Sequence, residues 1–447
     1  MTQFSLAHRE NSVRIVTLAK SSILVLVLQF AGVALAYLVQ VFLARWMGKV
    51  EYGIYEYVIT WSLLLAVPAS LGLPRAVVRF ISEYRVKQDW GLLRGVILGS
   101  WRLTIATGLF LSAITTGLVF LINHYHHFSS APVLLVGIWL VPLQALVLLQ
   151  EDMGRGAENL ILAYTPTKII WPILVIIGGF LLWHNRHILD SISTIWIALG
   201  MLSGALVVQA SWMWFKFNRE IAPVTPIYTL RAWLKVSLPL LLYRAFRELL
   251  VQTDILMLGS FIGAGAVGIY SPASKSALWV SFVLQSINIV VAPAFAILHI
   301  RGDRVELQKV ISTVTLWIFW SSSAIALLLI LFAKPLLGIF GSEFIEAHWA
   351  LKILVIGQFI NALSGSVGNL LSMTGYQNQL MLVSSCTALI NLILNAIAIP
   401  LWGIVGAALT TALTLSIWNI WLVAIVMRKL EVNPTVFSTF FPANSER

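Results

Sequence analysis

The sequence is poor in charged residues and in cysteine, and each shortage excludes a class of protein. Only 11% of its 447 residues are charged, against about 25% in an average soluble domain, whereas 59% are hydrophobic. A soluble chain of this length could not keep its surface hydrated with so few charges, so the composition predicts an all-α, polytopic membrane protein. The single cysteine, Cys386, excludes an intrachain disulfide and a multi-cysteine metal site.

Sequence motifs of common chemistry are also missing. No G-x-x-x-x-G-K-[ST] phosphate loop occurs, which argues against ATP hydrolysis through such a site. We expect no catalytic residues, no bound metal and no cofactor.

Long apolar stretches are what the chain does contain. A spanning helix needs about 20 mostly apolar residues, and a search with a window of about 19 residues identifies such segments. It predicts twelve transmembrane helices, at residues 21–44, 53–74, 97–122, 131–150, 161–183, 192–215, 236–261, 268–291, 311–333, 350–373, 380–400 and 404–427.

Lysine and arginine are unevenly distributed among the connections. With the N-terminus in the cytosol, 21 of the 29 Lys and Arg fall on cytosolic segments and four on external ones. Cytosolic loops of membrane proteins are enriched in these residues, so both termini are predicted to be cytosolic. The same rule accounts for the net charge of +11, and no nucleic-acid partner is expected.

One turn is repeated in the two halves of the chain. Residues 48–55 (GKVEYGIY) and 263–270 (GAGAVGIY) share four identities at an offset of 215. We therefore predict two six-helix pseudo-symmetric bundles around a central cleft that holds the substrate site. The predicted domains are an N-terminal lobe (1–215), a cytosolic linker (216–235) and a C-terminal lobe with a cytosolic tail (236–447).

Several segments together resemble a known transporter family. They are LARWMGKVEYGIY and SLGLPRAVVRFISEYR in the first half, and DILMLGSFIGAGAVGIYSPASK and NLILNAIAIPLWGIVGAALTTAL in the second. They resemble polysaccharide-unit (O-antigen or exopolysaccharide) flippases of the Wzx type, in the superfamily shared with MATE transporters and lipid II flippases, the MOP superfamily. Lipid II flippases usually carry two further spans, so twelve predicted spans favour the polysaccharide branch.

The resemblance implies a function. A flippase of this type moves a polyprenyl-diphosphate-linked oligosaccharide from the cytosolic to the external leaflet of the plasma (inner) membrane by alternating access, for polysaccharide biosynthesis. Such a protein is a transporter and not an enzyme. Candidate partners are H⁺ or Na⁺ as coupling ion, and a polysaccharide polymerase and glycosyltransferases.

Ionisable residues within predicted spans are costly and are therefore the candidates for binding. The resemblance implies that the first two spans of each half line the cleft. Arginine suits a diphosphate because its planar fork matches phosphate oxygens. The residues predicted to bind the diphosphate in the central cavity are Arg244, Arg247, Lys275, Arg79 and Arg75. The candidates for ion coupling or charge balance are Asp254, Glu248 and Glu56.

Structural pairing is the alternative for the candidates in the second half. Arg244 and Glu248 have the i,i+4 spacing of an ion pair on one helix. Arg247 or Lys275 could instead pair with Asp254. In either case the charges would balance one another and would not bind a substrate.

The first-half candidates and the function have alternatives too. Arg75 and Arg79 could be ordinary anchors at the cytosolic interface, and Glu56 an external residue at the interface. The chain could also be a cation-coupled exporter of small amphiphiles. A membrane glycosyltransferase or polymer ligase is disfavoured, because such enzymes usually need a sizeable external loop and the longest external connection here is residues 334–349.

Overall fold

Helices account for all the regular secondary structure in the described part of the chain. A computed structural model describes residues 2–125, 130–220 and 224–437, with side chains from residue 27 onward except at positions 186, 220 and 289. Residues 221–223 of the predicted linker and residues 438–447 of the predicted tail lie outside the described residues. The prediction of an all-α, multi-pass membrane protein is confirmed.

The helices follow one another with short connections. In chain order they are α1 (Thr2–Ala69), α2 (Leu73–Val86), α3 (Trp90–Tyr125), α4 (Ala131–Gly137), α5 (Leu140–Gly156), α6 (Leu160–Tyr164), α7 (Trp171–Arg186), α8 (Ser191–Glu220), α9 (Leu230–Phe261), α10 (Ala264–Arg301), α11 (Arg304–Leu331), α12 (Ala333–Gly338), α13 (His348–Leu363), α14 (Val367–Met373) and α15 (Gln377–Leu430). A π-helical segment, Thr165–Ile170, joins α6 to α7, and a 3₁₀ segment, Ser342–Ala347, precedes α13.

Seven described helical stretches are long and apolar enough to cross a membrane, or nine if two bent pairs each count as one span. Two of them contain two predicted spans each, because α1 and α15 continue across non-helical glycines, Gly48 (φ 73°) and Gly403 (φ 58°). The α9 helix, predicted as the span 236–261, is not among the nine. Every stretch of 18 residues in α9 contains at least three charged side chains.

The chain divides into two compact units. Unit 1 comprises Met1–Gln40 and Leu65–Leu241, and unit 2 comprises Val41–Leu64 and Leu242–Arg447. Part of α1 therefore belongs to unit 2, together with α10–α15, although it precedes the predicted boundary at residue 215.

Each unit has its own apolar core. In unit 1, α2, α3 and α5 pack around fully buried side chains that include Ile81, Leu93 and Leu149. In unit 2, α10, α13 and α15 pack around a second cluster that includes Val280 and Leu351. These cores fix the positions of the polar side chains described below.

A proline interrupts the helix that runs from α6 into α7 in unit 1. Pro166 has no N–H, so the carbonyl of Leu162, four residues earlier, loses its helical donor. Gln209 on α8 replaces that donor: its Nε2 lies 2.8 Å from the Leu162 carbonyl and 3.2 Å from that of Ala163. A neighbouring helix thus satisfies the backbone groups that proline leaves unpaired in a span.

Candidate functional site

The two copies of the repeated turn have similar backbone geometry and contact each other in unit 2. Gly48 and Gly263 both have positive φ, 73° and 116°, where the chain turns into the following helical segment. A Cβ added to Gly53 would lie 1.8 Å from a backbone carbonyl oxygen of the other copy, and one added to Gly268 would lie 1.9 Å from such an oxygen. The two backbones touch at equivalent positions, which explains the glycine in each copy.

Glu56 lies one residue beyond the first copy and binds α10. The residue is only 1% exposed. Its Oε2 accepts hydrogen bonds from Ser271 Oγ at 3.0 Å and from Lys275 Nζ at 2.5 Å. The side chain of Glu56 is therefore enclosed by protein, and its location at the level of the external interface stays a prediction. Lys275 forms its ion pair with Glu56, so the alternative pairing of Lys275 with Asp254 is wrong.

Asp254 on α9 has a separate set of partners. It is 2% exposed and accepts hydrogen bonds from the Tyr270 hydroxyl at 2.5 Å, the Ile255 N–H at 2.8 Å and the Thr411 hydroxyl at 3.5 Å. Tyr270 and Ser271 are neighbours on α10, and they hold two different buried carboxylates. The α10 helix thus joins the candidate acids Glu56 and Asp254.

A ladder of buried amides and hydroxyls connects the two arms of α15. Asn391 donates to the Thr414 hydroxyl at 3.0 Å, and Asn395 donates to the Asn391 side-chain carbonyl at 3.0 Å. Thr410 in turn donates to the Asn395 side-chain carbonyl. We did not select these residues from the sequence. The available signal was the i,i+4 spacing of two asparagines within an apolar stretch, which places both on one helix face.

The remaining candidates on α9 are more accessible. Arg247 is exposed, whereas Arg244 and Glu248 are half-buried. Glu248 accepts a hydrogen bond from Gln252 Nε2 at 3.0 Å. A common cavity for these arginines and Lys275 stays a prediction.

The first-half candidates belong to unit 1. Arg75 and Arg79 both lie on the exposed face of α2. Arg75 Nε lies 3.9 Å from a carboxylate oxygen of Asp152 on α5. Farther along α2, Lys87 donates to Glu83 at 2.6 Å, and this pairing lowers the pKa of the Glu83 carboxyl below its ordinary value.

The ion pair joins the buried carboxylate of Glu56 to a lysine whose side chain is 28% exposed. An unpaired lysine in the membrane interior costs about 2.5–3.5 kcal/mol on insertion scales. Another negative charge near Lys275 would offset such a cost if the two residues separated. A phosphate group of a substrate is one such charge.

This fold is that of a class of membrane transporters. A multidrug resistance MATE family transporter of the MOP superfamily superposes with a TM-score of 0.71 at 12% identity, over 90% of this chain and 94% of that one. The lipid II flippase MurJ superposes with a TM-score of 0.69 at 18% identity, over 90% of this chain and 87% of that one.

The sequence comparisons identify the family. A model described as polysaccharide biosynthesis protein matches residues 18–299, which is more than half of the chain, and the MatE model matches residues 239–397. The chain belongs to the polysaccharide biosynthesis protein family. It is 26% identical to the probable low-salt glycan biosynthesis flippase Agl15 of Haloferax volcanii, over 90% of this chain and 81% of that protein. It is also 24% identical to an uncharacterized membrane protein of Methanocaldococcus jannaschii, over 86% of this chain and 78% of that protein.

Proposed function

We propose that this chain flips a polyprenyl-diphosphate-linked oligosaccharide from the cytosolic to the external leaflet by alternating access, for polysaccharide biosynthesis. Membership of the polysaccharide biosynthesis protein family supports this function. The similarity to a probable glycan flippase and the fold shared with a lipid II flippase support it further. The matched proteins of named activity are transporters, so a glycosyltransferase or ligase reaction has no support among them.

The observation that carries the proposal is the ion pair of Lys275 with the buried carboxylate of Glu56. Glu56 neutralises Lys275 at 2.5 Å. When the substrate binds, its diphosphate takes over as the counter-charge of Lys275, so the lysine is never left unpaired in a medium of low dielectric. Release of Lys275 from Glu56 then removes one of the contacts that hold α10 against the 41–64 part of α1, which couples substrate binding to a movement of helices.

The other candidate residues complete this mechanism. Arg244 and Arg247 on α9, and Arg75 and Arg79 on α2, bind the same diphosphate through their guanidinium groups during its passage. Asp254 is the candidate for the coupling ion, H⁺ or Na⁺, because its buried carboxylate contacts hydroxyl groups rather than a cationic side chain. Glu248 balances charge on α9.

The proposed setting is the plasma (inner) membrane, with both termini in the cytosol and two six-helix lobes (1–215 and 236–447) around a central cleft. The excess of Lys and Arg on one set of connections supports this orientation. A polysaccharide polymerase and glycosyltransferases are the proposed partners, because the flipped oligosaccharide must be built on one side and polymerised on the other.

A cation-coupled exporter of small amphiphiles is the second candidate. The match of residues 239–397 to the MatE model and the shared fold with a MATE transporter support it. The candidate binding residues argue against an exporter, because they are arginines and Lys275, whereas an exporter of organic cations requires acidic and aromatic groups in its cavity.

Complementation of a bacterial strain that lacks its own polysaccharide-unit flippase tests the proposal. We expect the native chain to restore the surface polymer and the Lys275→Ala variant to fail, with equal membrane levels of both on an immunoblot. Restored polymer with the variant would contradict the role of Lys275. No polymer with the native chain, together with increased resistance to cationic dyes, would favour the exporter.

A further inference from the structure

The end of α5 and the start of α2 pack closely in unit 1. A Cβ added to Gly156 would lie 3.2 Å from the backbone of Val78, so the two helices approach each other there. Asp152 lies one turn before Gly156 on α5, and Arg75 lies one turn before Val78 on α2. The crossing therefore brings these two side chains together.

Asp152 holds two arginines from two different helices. Its Oδ1 accepts a hydrogen bond from Arg155 Nη1 at 2.7 Å, and its Oδ2 lies 3.9 Å from Arg75 Nε. Like charges repel, and an anion between two guanidinium groups offsets their repulsion. The carboxylate of Asp152 is that anion, and it is fixed by burial at the helix crossing.

The two arginines remain accessible although their common partner does not. The Asp152 side chain is 8% exposed, whereas those of Arg75 and Arg155 are 60% and 41% exposed. Asp152 contacts only one nitrogen of each guanidinium group. Among the described residues, Arg155 Nη1 alone of the nitrogens of these two groups has a hydrogen-bond partner within 3.5 Å. Two guanidinium groups against one carboxylate leave one positive charge.

A neighbouring ion pair provides a contrast. Lys168 lies 3.2 Å from Glu151, the residue that precedes Asp152, and Thr167 donates to the same carboxylate at 2.9 Å. One cation and one anion balance there. Arg75 and Arg155, in contrast, share the single carboxylate of Asp152.

We propose that Arg75 and Arg155, organised by Asp152, form a binding site for the phosphate groups of the lipid-linked substrate. The inference deepens the proposed function and rests on it. Arg155 is the new binding residue, and no feature of the sequence singles it out. Phosphate fits because guanidinium groups bind its oxygens through pairs of parallel hydrogen bonds, which a single ammonium group cannot form.

The position of the site suits a lipid phosphate. Arg75 lies on α2, whose buried face packs on unit 1 and whose opposite face is exposed, and Arg155 lies at the end of the apolar helix α5. A phosphate at the membrane boundary can reach both residues while its hydrocarbon chain stays in the bilayer. In the proposed orientation this end of α5 is cytosolic, where the substrate is loaded.

Binding of farnesyl diphosphate to the purified full-length protein tests the inference. The protein is placed in phosphatidylcholine nanodiscs, and the dissociation constant is measured by thermophoresis. We expect Arg155→Ala and Arg75→Ala each to weaken binding by about tenfold or more, since each removes charge-assisted hydrogen bonds. Arg155→Lys keeps the ion pair with Asp152 and thus the fold, but it lacks the planar fork and should also bind more weakly. Lys87→Ala, which removes an exposed cation at the end of the same helix α2, should leave binding unchanged.

The outcomes separate this inference from the function on which it rests. Unchanged binding in all variants of Arg75 and Arg155, with loss of binding in Lys275→Ala, would overturn the site and leave the proposed function intact. No binding by the native protein would count against the proposed function itself. Nanodiscs that contain phosphatidylglycerol test the other source of a lipid phosphate. Displacement of farnesyl diphosphate by phosphatidylglycerol, relieved in Arg155→Ala, would assign the site to a membrane phospholipid and overturn its assignment to the substrate.

Discussion

Ser271 donates a hydrogen bond to Glu56 at 3.0 Å, and the two residues are separated by 215 positions. This separation is the offset between the two copies of the repeated turn. Equivalent positions of the repeat therefore meet in unit 2, and one of them carries a buried carboxylate. Lys275, one helical turn beyond Ser271, supplies the balancing charge.

The contact between the two copies predicts a steric effect at Gly268. A Cβ at this position would lie 1.9 Å from a backbone oxygen, so Gly268→Ala forces the two helices apart. We expect a loss of about 1–3 kcal/mol in the free energy of unfolding, typical of overpacking, and a loss of transport. Gly265→Ala is the matched control, because a Cβ there meets its nearest atom at 3.9 Å. Equal thermal stability of the two variants would contradict the close approach.

The ion pair predicts non-additive effects on stability. Lys275→Met leaves the buried carboxylate of Glu56 without its cation, at a cost of up to about 3–5 kcal/mol, and Glu56→Gln leaves the half-buried Lys275 without its anion. The double variant removes both charges and should be more stable than Lys275→Met alone. Thermal unfolding in detergent of the native protein, both single variants and the double variant measures the coupling. Additive losses would show that the two side chains do not interact.

The contact of Gln209 with the backbone near Pro166 predicts that the stability cost of replacing Gln209 depends on whether the proline is present. Gln209→Leu removes the donor to the Leu162 carbonyl and should lower the free energy of unfolding by about 1–2 kcal/mol. In a Pro166→Ala background residue 166 has an N–H of its own, so Gln209→Leu should cost less there. Thermal unfolding of the four proteins checks this prediction. An equal cost in both backgrounds would mean that Gln209 does not replace the missing N–H.

The orientation in the membrane predicts which connections a reagent reaches. In a Cys386→Ser background, Gln88→Cys between α2 and α3 should be labelled by a membrane-impermeant maleimide only after the cells are opened. Lys334→Cys, in the predicted external connection 334–349, should be labelled in intact cells. Both positions are exposed, so accessibility within the fold does not limit the reaction. Labelling of both from the same side would contradict the proposed topology.

Composition was sufficient to predict the helical, multi-pass class, because only helices and closed barrels satisfy backbone groups in lipid. The repeat predicted two equivalent turns. It could not predict that the turns touch, because Gly53 and Gly268 are distant in sequence and their contact depends on the path of α1. Composition is less informative for α9. The structure forms one continuous helix there, but its charged residues keep it from meeting the composition expected of a membrane span.

The candidate site shows the same limits. Lys275 was predicted as a functional residue from its charge in an apolar stretch, but Glu56 was not predicted as its partner. Spacing along one helix suggests local partners, whereas Glu56 lies 219 positions away. Asn391 and Asn395 were not predicted as functional residues, because an uncharged amide in a sequence does not indicate a role until its burial is known. Arg155 was not predicted for a related reason: its proposed role depends on its contact with Asp152 and on the position of Arg75 on a second helix.

The central claim is that the chain moves its lipid-linked substrate across the membrane and needs the ion pair of Glu56 and Lys275 to do so. One measurement tests this claim most directly. Purified protein is reconstituted into liposomes with a fluorescent short-chain polyprenyl-diphosphate-linked saccharide, and dithionite quenching reports the rate at which the lipid changes leaflet. The Glu56→Gln/Lys275→Met variant is compared with the native protein, because the double change removes both charges without leaving one unpaired. We expect the native protein to move the lipid and the folded double variant to lose this activity. Equal rates for the two proteins would contradict the account.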